Sequence, residues 1–179
     1  FRRVFGRPSG GLVHEYRTSD ADVIVVALGS VLGTIKDTVD EMREQGRKIG
    51  VLGITCFRPW PSVAVRNALQ RAKRVVVLEK SLAVGMGGIV GNNVSASFSG
   101  SPDRVHTVVA GLGGRSITRG SLRRVFEQAL ADSLEPLTFL DLDRALVDRV
   151  LERERVQRRS GPIAEGILKD LGVVAAKLG

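Results

Sequence analysis

The sequence predicts an α/β domain with a mostly parallel sheet of about five strands and helices on both faces. Two observations carry this prediction: short apolar runs of β-branched residues recur along the chain, and segments with apolar residues at helical spacing separate them. Strands that alternate with helices join into parallel sheets that are covered on both faces. The length of 179 residues suits one such domain with tails.

Four apolar runs are predicted to be strands, at 23–28, 48–55, 74–78 and 105–110. The first is a continuous apolar run, as in a strand buried on both faces. Apolar residues at helical spacing predict helices that begin after Ser30, after Ser62, near 89, after Ser121 and near 143. The three serines are expected to cap the helices that follow them. The helix after Ser30 is expected to end at Gly46, and the last helix near 157.

The elements divide the chain into three predicted segments. Residues 1–20 are polar and rich in glycine, which predicts a linker. Residues 21–142 contain the strands and form the predicted domain, and residues 143–179 form a predicted helical extension. Apolar residues continue at helical spacing after 161, and we expect that face to rest on the domain or on a partner chain. Because the chain does not begin with Met, we expect a fragment or a processed piece.

Composition argues against several classes of function. The net charge of +8 is spread along the chain and aromatic residues make up 4%, whereas nucleic-acid binders concentrate basic groups with exposed aromatics. No apolar run reaches the ~20 residues of a membrane span, and we expect neither a membrane nor a nucleic-acid partner. Cys56 is the only cysteine, and His14 and His106 are far apart, so we expect no metal site and a cytoplasmic location.

A glycine-rich loop is the most prominent motif. Gly111, Gly113, Gly114 and Arg115 lie between a predicted strand and a predicted helix. Backbone N–H groups in such a loop bind anions and Arg115 adds a bidentate donor, or else the glycines only permit a tight turn with positive φ. No phosphate-binding lysine follows the loop, which excludes a P-loop. The turn at Gly29 and Ser30 also follows a strand but lacks the spacing of a dinucleotide site.

Three further residues, in two segments, are candidates for contacts. Arg58 and Trp60 lie in a proline-stiffened loop, where they suit a subunit interface or, for Trp60, merely cover the sheet. Glu79 ends the third predicted strand at its carboxyl end, the usual edge for function, or it pairs with Lys80 or Arg74. No arrangement of a nucleophile with a base is recognisable, and we assign no catalytic residue.

Several short sequence motifs, taken together, resemble those of one protein family. Gly-Arg-Pro at 6–8, Glu-Tyr-Arg at 15–17 and Asp-Ala-Asp at 20–22 are similar to the linker into the second domain of pyruvate:ferredoxin oxidoreductases. The strand and turn at 25–34 resemble the start of that domain. Phe-Arg-Pro-Trp-Pro at 57–61 and Gly-Leu-Gly-Gly-Arg at 111–115 resemble two further motifs of the family. The resemblance runs from about residue 6 to residue 132. It rests on the occurrence of these motifs in the same order as in the family.

The resemblance implies a domain like the C-terminal domain of transketolase, within the alpha subunit of the oxidoreductase. The complete enzyme would oxidatively decarboxylate a 2-oxoacid, first of all pyruvate, to an acyl-coenzyme A. It would use thiamine diphosphate with Mg²⁺ and pass electrons through [4Fe-4S] clusters to ferredoxin. The partners would be thiamine-binding, gamma and ferredoxin-like subunits, and this chain alone would bind none of the cofactors.

Within that enzyme the chain would have a structural, assembly role. The expected contacts are made by Arg58, Trp60, Gly111, Gly113, Gly114 and Arg115, with Gly29, Ser30 and Glu79 as secondary positions. Two alternatives stay open. One is the C-terminal domain of a transketolase-like enzyme, and the other is a stand-alone anion- or nucleotide-binding module.

Overall fold

A six-stranded sheet forms the centre of the protein. The computed structural model describes residues 2–6, 10–98 and 104–156. The strands are β1 (Val13–Tyr16), β2 (Val23–Ala27), β3 (Ile49–Ile54), β4 (Arg74–Glu79), β5 (Val105–Val109) and β6 (Leu137–Phe139). Their order is β1-β3-β2-β4-β5-β6, with β1 antiparallel to β3 and the other neighbours parallel. The predicted α/β class with a mostly parallel sheet is confirmed, and the sheet has six strands rather than about five.

Helices alternate with the parallel strands. They are α1 (Arg2–Phe5), α2 (Val31–Glu44), α3 (Ser62–Leu69), α4 (Ile89–Ser97), α5 (Arg119–Leu130) and α6 (Arg144–Val156). The helices α2 to α6 match the five predicted from apolar spacing, within one to three residues at each described end. The predicted end of the last helix at 157 and the tail after 161 lie outside the described residues.

The alternation of side chains along β2 divides the core into two layers. Val23, Val25 and Ala27 face the layer that contains α2 and α5, and Ile24 and Val26 face the layer that contains α3 and α4. All five are buried, so β2 is covered on both faces. This is the burial that a continuous apolar run predicts for a central parallel strand.

The structure corrects the predicted helix caps. Thr118, not Ser121, caps α5, because its hydroxyl accepts the hydrogen bond from the Ser121 backbone N–H at 3.1 Å. Ser62 is the first residue of α3 and follows Pro61 at the cap position, where no side-chain cap bond forms. Ser30 does stand at the cap of α2, but its hydroxyl makes no cap bond. A serine before an apolar stripe therefore predicted where each helix begins, but it did not predict which side chain, if any, caps that helix.

The predicted linker at 1–20 contains a strand of the sheet. Residues 13–16 form β1, which runs antiparallel to β3 with Val13 opposite Ile54 and Tyr16 opposite Val51. By contacts, a first compact unit ends at Asp141 and a second begins at Leu142 and contains α6. Among the described helices, none combines the length and the apolar character that a bilayer crossing requires.

Candidate functional site

A cleft opens at the carboxyl ends of the parallel strands. β3 lies on one side of β2 and β4 on the other, so the connections after β2 and β4 diverge at this point. Such a reversal of strand order leaves a crevice in which α/β proteins bind ligands. Here the crevice has a volume of about 740 Å³ and is lined by segments that follow β2, β3, β4 and β5.

The cleft is lined by both apolar and polar residues. Apolar residues from four segments line it: Leu28, Val31, Phe57, Leu78, Ile89, Val90, Ala110 and Ile117. The polar lining residues are Ser30, Thr34, Ser81, Ser116, the carboxylate Glu79 and two cations, Lys80 and Arg115. Such a lining suits a ligand with an apolar part and an anionic or hydrogen-bonding part.

Glu79 is a buried carboxylate in the wall of the cleft. Its two oxygens accept hydrogen bonds from the backbone N–H groups of Val90 and Gly91, each at 2.9 Å. Both donors lie in the first turn of α4, so the carboxylate satisfies two free N–H groups and faces the positive end of the helix dipole. The predicted alternative, a pairing with Lys80 or Arg74, is wrong for Arg74, which pairs with Asp132 at 2.5 Å.

Two glycines make this contact sterically possible. A β-carbon on Gly88 would overlap the Glu79 carboxylate, and one on Gly91 would lie 2.5 Å from the Thr107 hydroxyl oxygen. The φ of Gly88 is −77°, which any residue can adopt. Glycine is therefore required at this position because a side chain would not fit, and not because of the backbone conformation. Gly88 before α4 and Gly91 in its first turn therefore let the helix start directly against the end of β4.

Lys80 and Arg115 are the two cations that line the cleft. A β-carbon on Gly111 would lie 3.0 Å from the Lys80 Cε, so the lysine side chain runs along the glycine-rich loop. The Arg115 guanidinium donates a hydrogen bond to the backbone carbonyl of Asp141, whose carboxylate is bound by Arg124 and Ser121. Within the described part of the chain, neither cation has a carboxylate at salt-bridge distance.

The glycine-rich loop is a tight turn more than an anion cradle. Gly111, Gly113 and Gly114 have φ values of +73°, +64° and +79°. The N–H groups of Gly114 and Arg115 donate to the carbonyls of Gly111 and Leu112 within the turn. α5 begins only at Arg119, so the loop amides are separated from the helix start. Of the two interpretations, the geometry favours the turn, which is followed by the cleft-lining residue Arg115.

The turn after β2 brings a helix start to the cleft. Gly29 has a φ of +83°, and Ser30 and Val31 line the cleft at the first turn of α2. That turn has no acidic residue. The partial positive charge at the start of α2 therefore adds to that of Lys80 and Arg115.

Trp60 and Arg58 lie on the same edge but do not line the cleft. The Trp60 indole N–H donates to the Ser97 hydroxyl at 2.9 Å, and the half-buried ring packs on the α3 and α4 layer. This geometry favours the interpretation that Trp60 covers the sheet. The exposed Arg58 guanidinium lies 4.0 Å from the centre of the Phe57 ring and donates to the Phe57 carbonyl.

Charge differs sharply between the two edges of the sheet. The loops after β2, β3, β4 and β5, at 28–30, 55–61, 80–88 and 110–118, contain Arg58, Lys80 and Arg115 but no Asp or Glu. Two carboxylates lie beside these loops: Glu79 ends β4, and Asp141 follows β6, where Arg124 and Ser121 bind it. We call the surface formed by the four loops the carboxyl edge. The opposite edge is rich in paired charges: Arg43 with Asp20 at 2.8 Å, Lys73 with Asp22 at 2.9 Å and Arg74 with Asp132 at 2.5 Å.

The ion pairs at the opposite edge also keep the aspartates that form them ionised. The hydrogen bond from Arg43 lowers the pKa of Asp20, and the hydrogen bond from Arg74 lowers the pKa of Asp132. These carboxylates are therefore ionised and neutralised by their partners near pH 7. The cations of the carboxyl edge have no such intramolecular partner in the described structure, which leaves them available to an anionic group from outside.

The cleft unites only some of the residues predicted from sequence. Gly29, Ser30, Glu79, Gly114 and Arg115 line it, whereas Gly111 and Gly113 shape the neighbouring turn. Sequence reasoning missed Lys80, Phe57 and Ser116 as lining residues. Lys80 follows directly after the last residue of β4, and this position at the carboxyl end of a parallel strand is the feature of the sequence that could have identified it as a lining residue. In the described residues no group of three potential metal ligands comes together.

Known proteins and a family model are similar to the central part of the chain. The family model of the pyruvate:ferredoxin oxidoreductase core domain II matches residues 21–122. Pyruvate synthase subunit PorA of Methanosarcina barkeri is 37% identical over 154 residues, covering 82% of this chain and 38% of the relative. The PorA subunit of Methanothermobacter thermautotrophicus is 38% identical over 126 residues, covering 70% of this chain and 32% of the relative. The chain thus spans about a third of the length of these relatives.

A solved structure supports the fold. The 2-oxoglutarate:ferredoxin oxidoreductase from Magnetococcus marinus, solved with 2-oxoglutarate, coenzyme A and succinyl-CoA bound, matches 68% of this chain and 20% of its own chain. The TM-score is 0.56 at 18% sequence identity, so this likeness concerns the fold alone. The match of the family model covers more than half of the sequence and includes β2, β4, β5 and the loops of the cleft. The chain belongs to the pyruvate:ferredoxin oxidoreductase core domain II family.

Proposed function

We propose that this chain is an assembly domain in the alpha subunit of a pyruvate:ferredoxin oxidoreductase. Family membership and the PorA relatives, named as subunits of pyruvate synthase, support this assignment. In that enzyme pyruvate would be oxidatively decarboxylated to acetyl-coenzyme A, with electrons passed to ferredoxin. The domain would hold subunits together and shape one wall of the route to the reaction centre.

The cofactors of that reaction would be held by other parts of the enzyme. With Cys56 as its single cysteine, the chain does not supply the four thiolates of a [4Fe-4S] cluster. Thiamine diphosphate, Mg²⁺ and the clusters therefore belong, in this proposal, to the thiamine-binding and ferredoxin-like subunits, and coenzyme A to the assembled enzyme. The unpaired Cys56 thiol fits a reducing, cytoplasmic location.

The observation that carries the assembly role is the composition of the carboxyl edge. Exposed apolar residues lie in the four loops and at the start of α4, and three of them, Leu28, Phe57 and Ile89, line the cleft. The others are Val84, Met86 and Leu112. Contiguous apolar surface with a polar rim is typical of protein interfaces. Arg58 and Arg115 would provide rim contacts to carboxylates of the partner, and Trp60 would support the loop that carries Arg58.

The remaining predicted positions would act through the backbone. Gly111, Gly113 and Gly114 form the turn that presents Arg115, and Gly29 and Ser30 open the start of α2 to the cleft. Glu79 fixes the start of α4 and hence one wall of the cleft. None of these residues is assigned a chemical step in the reaction.

Co-expression of the full-length subunit with the other oxidoreductase subunits tests the proposal. We expect a complex that contains iron and thiamine diphosphate. The Arg115→Ala substitution should weaken subunit association about tenfold or lower coenzyme A-dependent turnover. Arg71→Ala is the matched control, because Arg71 is an exposed arginine that follows α3 and precedes β4, toward the opposite edge. Normal association and normal kinetics of Arg115→Ala would remove the role of this loop, and a full-length subunit without partners would overturn the assembly role.

The cleft itself favours one alternative, a stand-alone module that binds anions or nucleotides. Its apolar lining residues and its two cations suit a ligand with an apolar body and an anionic group. Calorimetry of the isolated chain with coenzyme A and with nucleotides separates the two functions. Tight binding without any partner subunit would favour the module over the assembly domain.

A further inference from the structure

A short turn at 83–87 projects from the carboxyl edge between β4 and α4. Ala83 and Gly87 exchange two backbone hydrogen bonds, at 2.9 and 2.8 Å, and the Met86 N–H donates to the Ala83 carbonyl at 3.0 Å. The Asn92 side-chain amide donates to the Met86 carbonyl at 2.6 Å and ties the turn to α4. Five residues are therefore held in a defined conformation by four hydrogen bonds.

The tip of this turn exposes two large apolar side chains. Val84 is fully exposed and the Met86 side chain is 72% exposed. Polar side chains normally occupy the tips of ordered surface turns, and ordered apolar tips mark interaction sites. Ile89, which follows the turn by two residues, is also exposed and lines the cleft.

The base of the turn is anchored in the core. Gly88 follows the turn directly, and the N–H groups of Val90 and Gly91 are bound by the buried Glu79 carboxylate. A rigid support lowers the entropy lost when Val84 and Met86 are immobilised against a partner. The turn is thus preorganised for docking.

The charge around the turn defines the surface that fits it. The four loops of the carboxyl edge contain three cations and no carboxylate, with Lys80 only three residues before the turn. The two neighbouring carboxylates are already bound, Glu79 by N–H groups of α4 and Asp141 by Ser121 and Arg124. Apolar side chains on a surface with unneutralised cations are complementary to an apolar recess that is bordered by Asp or Glu. Methionine adapts its flexible side chain to such recesses and makes favourable contacts with aromatic rings.

We propose that the 83–87 turn is the principal anchor of this domain, which inserts Val84 and Met86 into an apolar recess with an acidic border on another subunit. The inference rests on the proposed assembly function and names the chemistry of its partner. A few central apolar side chains carry most of the binding free energy in protein interfaces, and Val84 and Met86 have the exposure and the support for this role.

Oxidation of Met86 in the complete enzyme measures whether the turn is covered. Hydrogen peroxide oxidises exposed methionines, and an unstructured methionine peptide in the same tube provides the reference rate. Buried Met42 is an internal control for an intact fold. We expect Met86 to react more than tenfold slower than the peptide. A rate within about twofold of the peptide, with Met42 unreactive, would overturn the proposal.

Substitutions in the complete enzyme test the chemistry of the recess. Met86→Glu should weaken subunit association at least tenfold, Met86→Lys should weaken it less, and Met86→Leu should restore it. Leu137→Glu is the control, because Leu137 is an exposed apolar residue at the start of β6 on the opposite edge. Equal effects of Met86→Glu and Met86→Lys would overturn the acidic border, and wild-type association of Met86→Glu would overturn the anchor.

Two further outcomes identify other occupants. If Arg115→Ala weakens association while the Met86 variants do not, the assembly function stands and the anchor fails. If the wild-type subunit binds no partner, both proposals fail. Protection of Met86 that persists in the full-length subunit without its partners, and disappears on dilution, would assign the turn to a second copy and overturn the docking proposed here.

Discussion

At the scale of single residues, Glu79 connects the wall of the cleft to the start of a helix. Its carboxylate binds two N–H groups of α4 and is 8% exposed. Hydrogen bonds to a charged acceptor are stronger than those between neutral groups, and leaving the two N–H groups unsatisfied would cost free energy. The contact depends on Gly88, because a larger residue there would displace the carboxylate.

Replacement of Gly88 tests this contact. Gly88→Ala should lower the free energy of unfolding by about 2–4 kcal/mol, because overpacking adds to the loss of the Glu79 hydrogen bonds. Gly33→Ala is the matched control: Gly33 lies within α2, and a β-carbon there meets no atom within 4 Å. That substitution should raise the free energy of unfolding by about 0.5–1 kcal/mol. Urea unfolding measures both, and equal effects would contradict the close packing at Gly88.

The sequence predicted the position of Glu79 but not its partner. A glutamate at the carboxyl end of a buried strand indicates the functional edge, and Glu79 does line the cleft. Its partners are backbone N–H groups 11 and 12 residues further along, and no side-chain pattern identifies a backbone donor.

At the scale of elements, β1 is attached to the domain by two kinds of contact. It pairs with β3, and its end is bound to α2: the Tyr16 hydroxyl donates to Asp40 at 2.7 Å and the Arg17 guanidinium donates to the same carboxylate at 2.6 Å. The hydrogen bond from Tyr16, and then that from Arg17, lower the pKa of Asp40. Asp40 therefore stabilises the edge of the sheet in its ionised form.

The stability of this connection should depend on pH. Because the pKa of Asp40 is lower in the folded protein, its contribution is complete above the unfolded pKa near 4 and is lost as the pH falls through the folded pKa. Asp40→Asn should lower the free energy of unfolding by less than about 1 kcal/mol at pH 7 and by less still at pH 3. Asp37→Asn, an exposed position on α2, is the control. Urea unfolding at both pH values checks this, and a pH-independent difference would contradict it.

The central elements could be predicted and the edges could not. β2 to β5 are apolar runs between helices with clear stripes, so burial on two faces leaves a strong pattern. β1 has four residues, of which His14 and Glu15 are exposed, and β6 has three residues. Short edge strands are recognised by their pairing with a neighbour, which the local sequence does not contain.

At the scale of the whole domain, the two edges of the sheet have different chemistry. Ion pairs within the chain neutralise the charges at the amino ends of the parallel strands. At the carboxyl edge Arg58, Lys80 and Arg115 have no such partners among the described residues, and three of the exposed apolar residues line the cleft. The asymmetry can be read in the sequence once the strands are placed, because the four loops contain no acidic residue. The cleft could not be predicted in the same way, because its shape depends on the strand order.

Hydrogen exchange of the full-length subunit, measured alone and in the complete oxidoreductase, tests the central claim most directly. The assembly account predicts slower exchange on assembly in the segments 55–61, 80–89 and 111–118 of the carboxyl edge. It predicts no change at 70–73 and 132–136, which lie at the opposite edge. Slower exchange confined to the opposite edge, or no change at the carboxyl edge, would contradict the claim that this surface binds the other subunits.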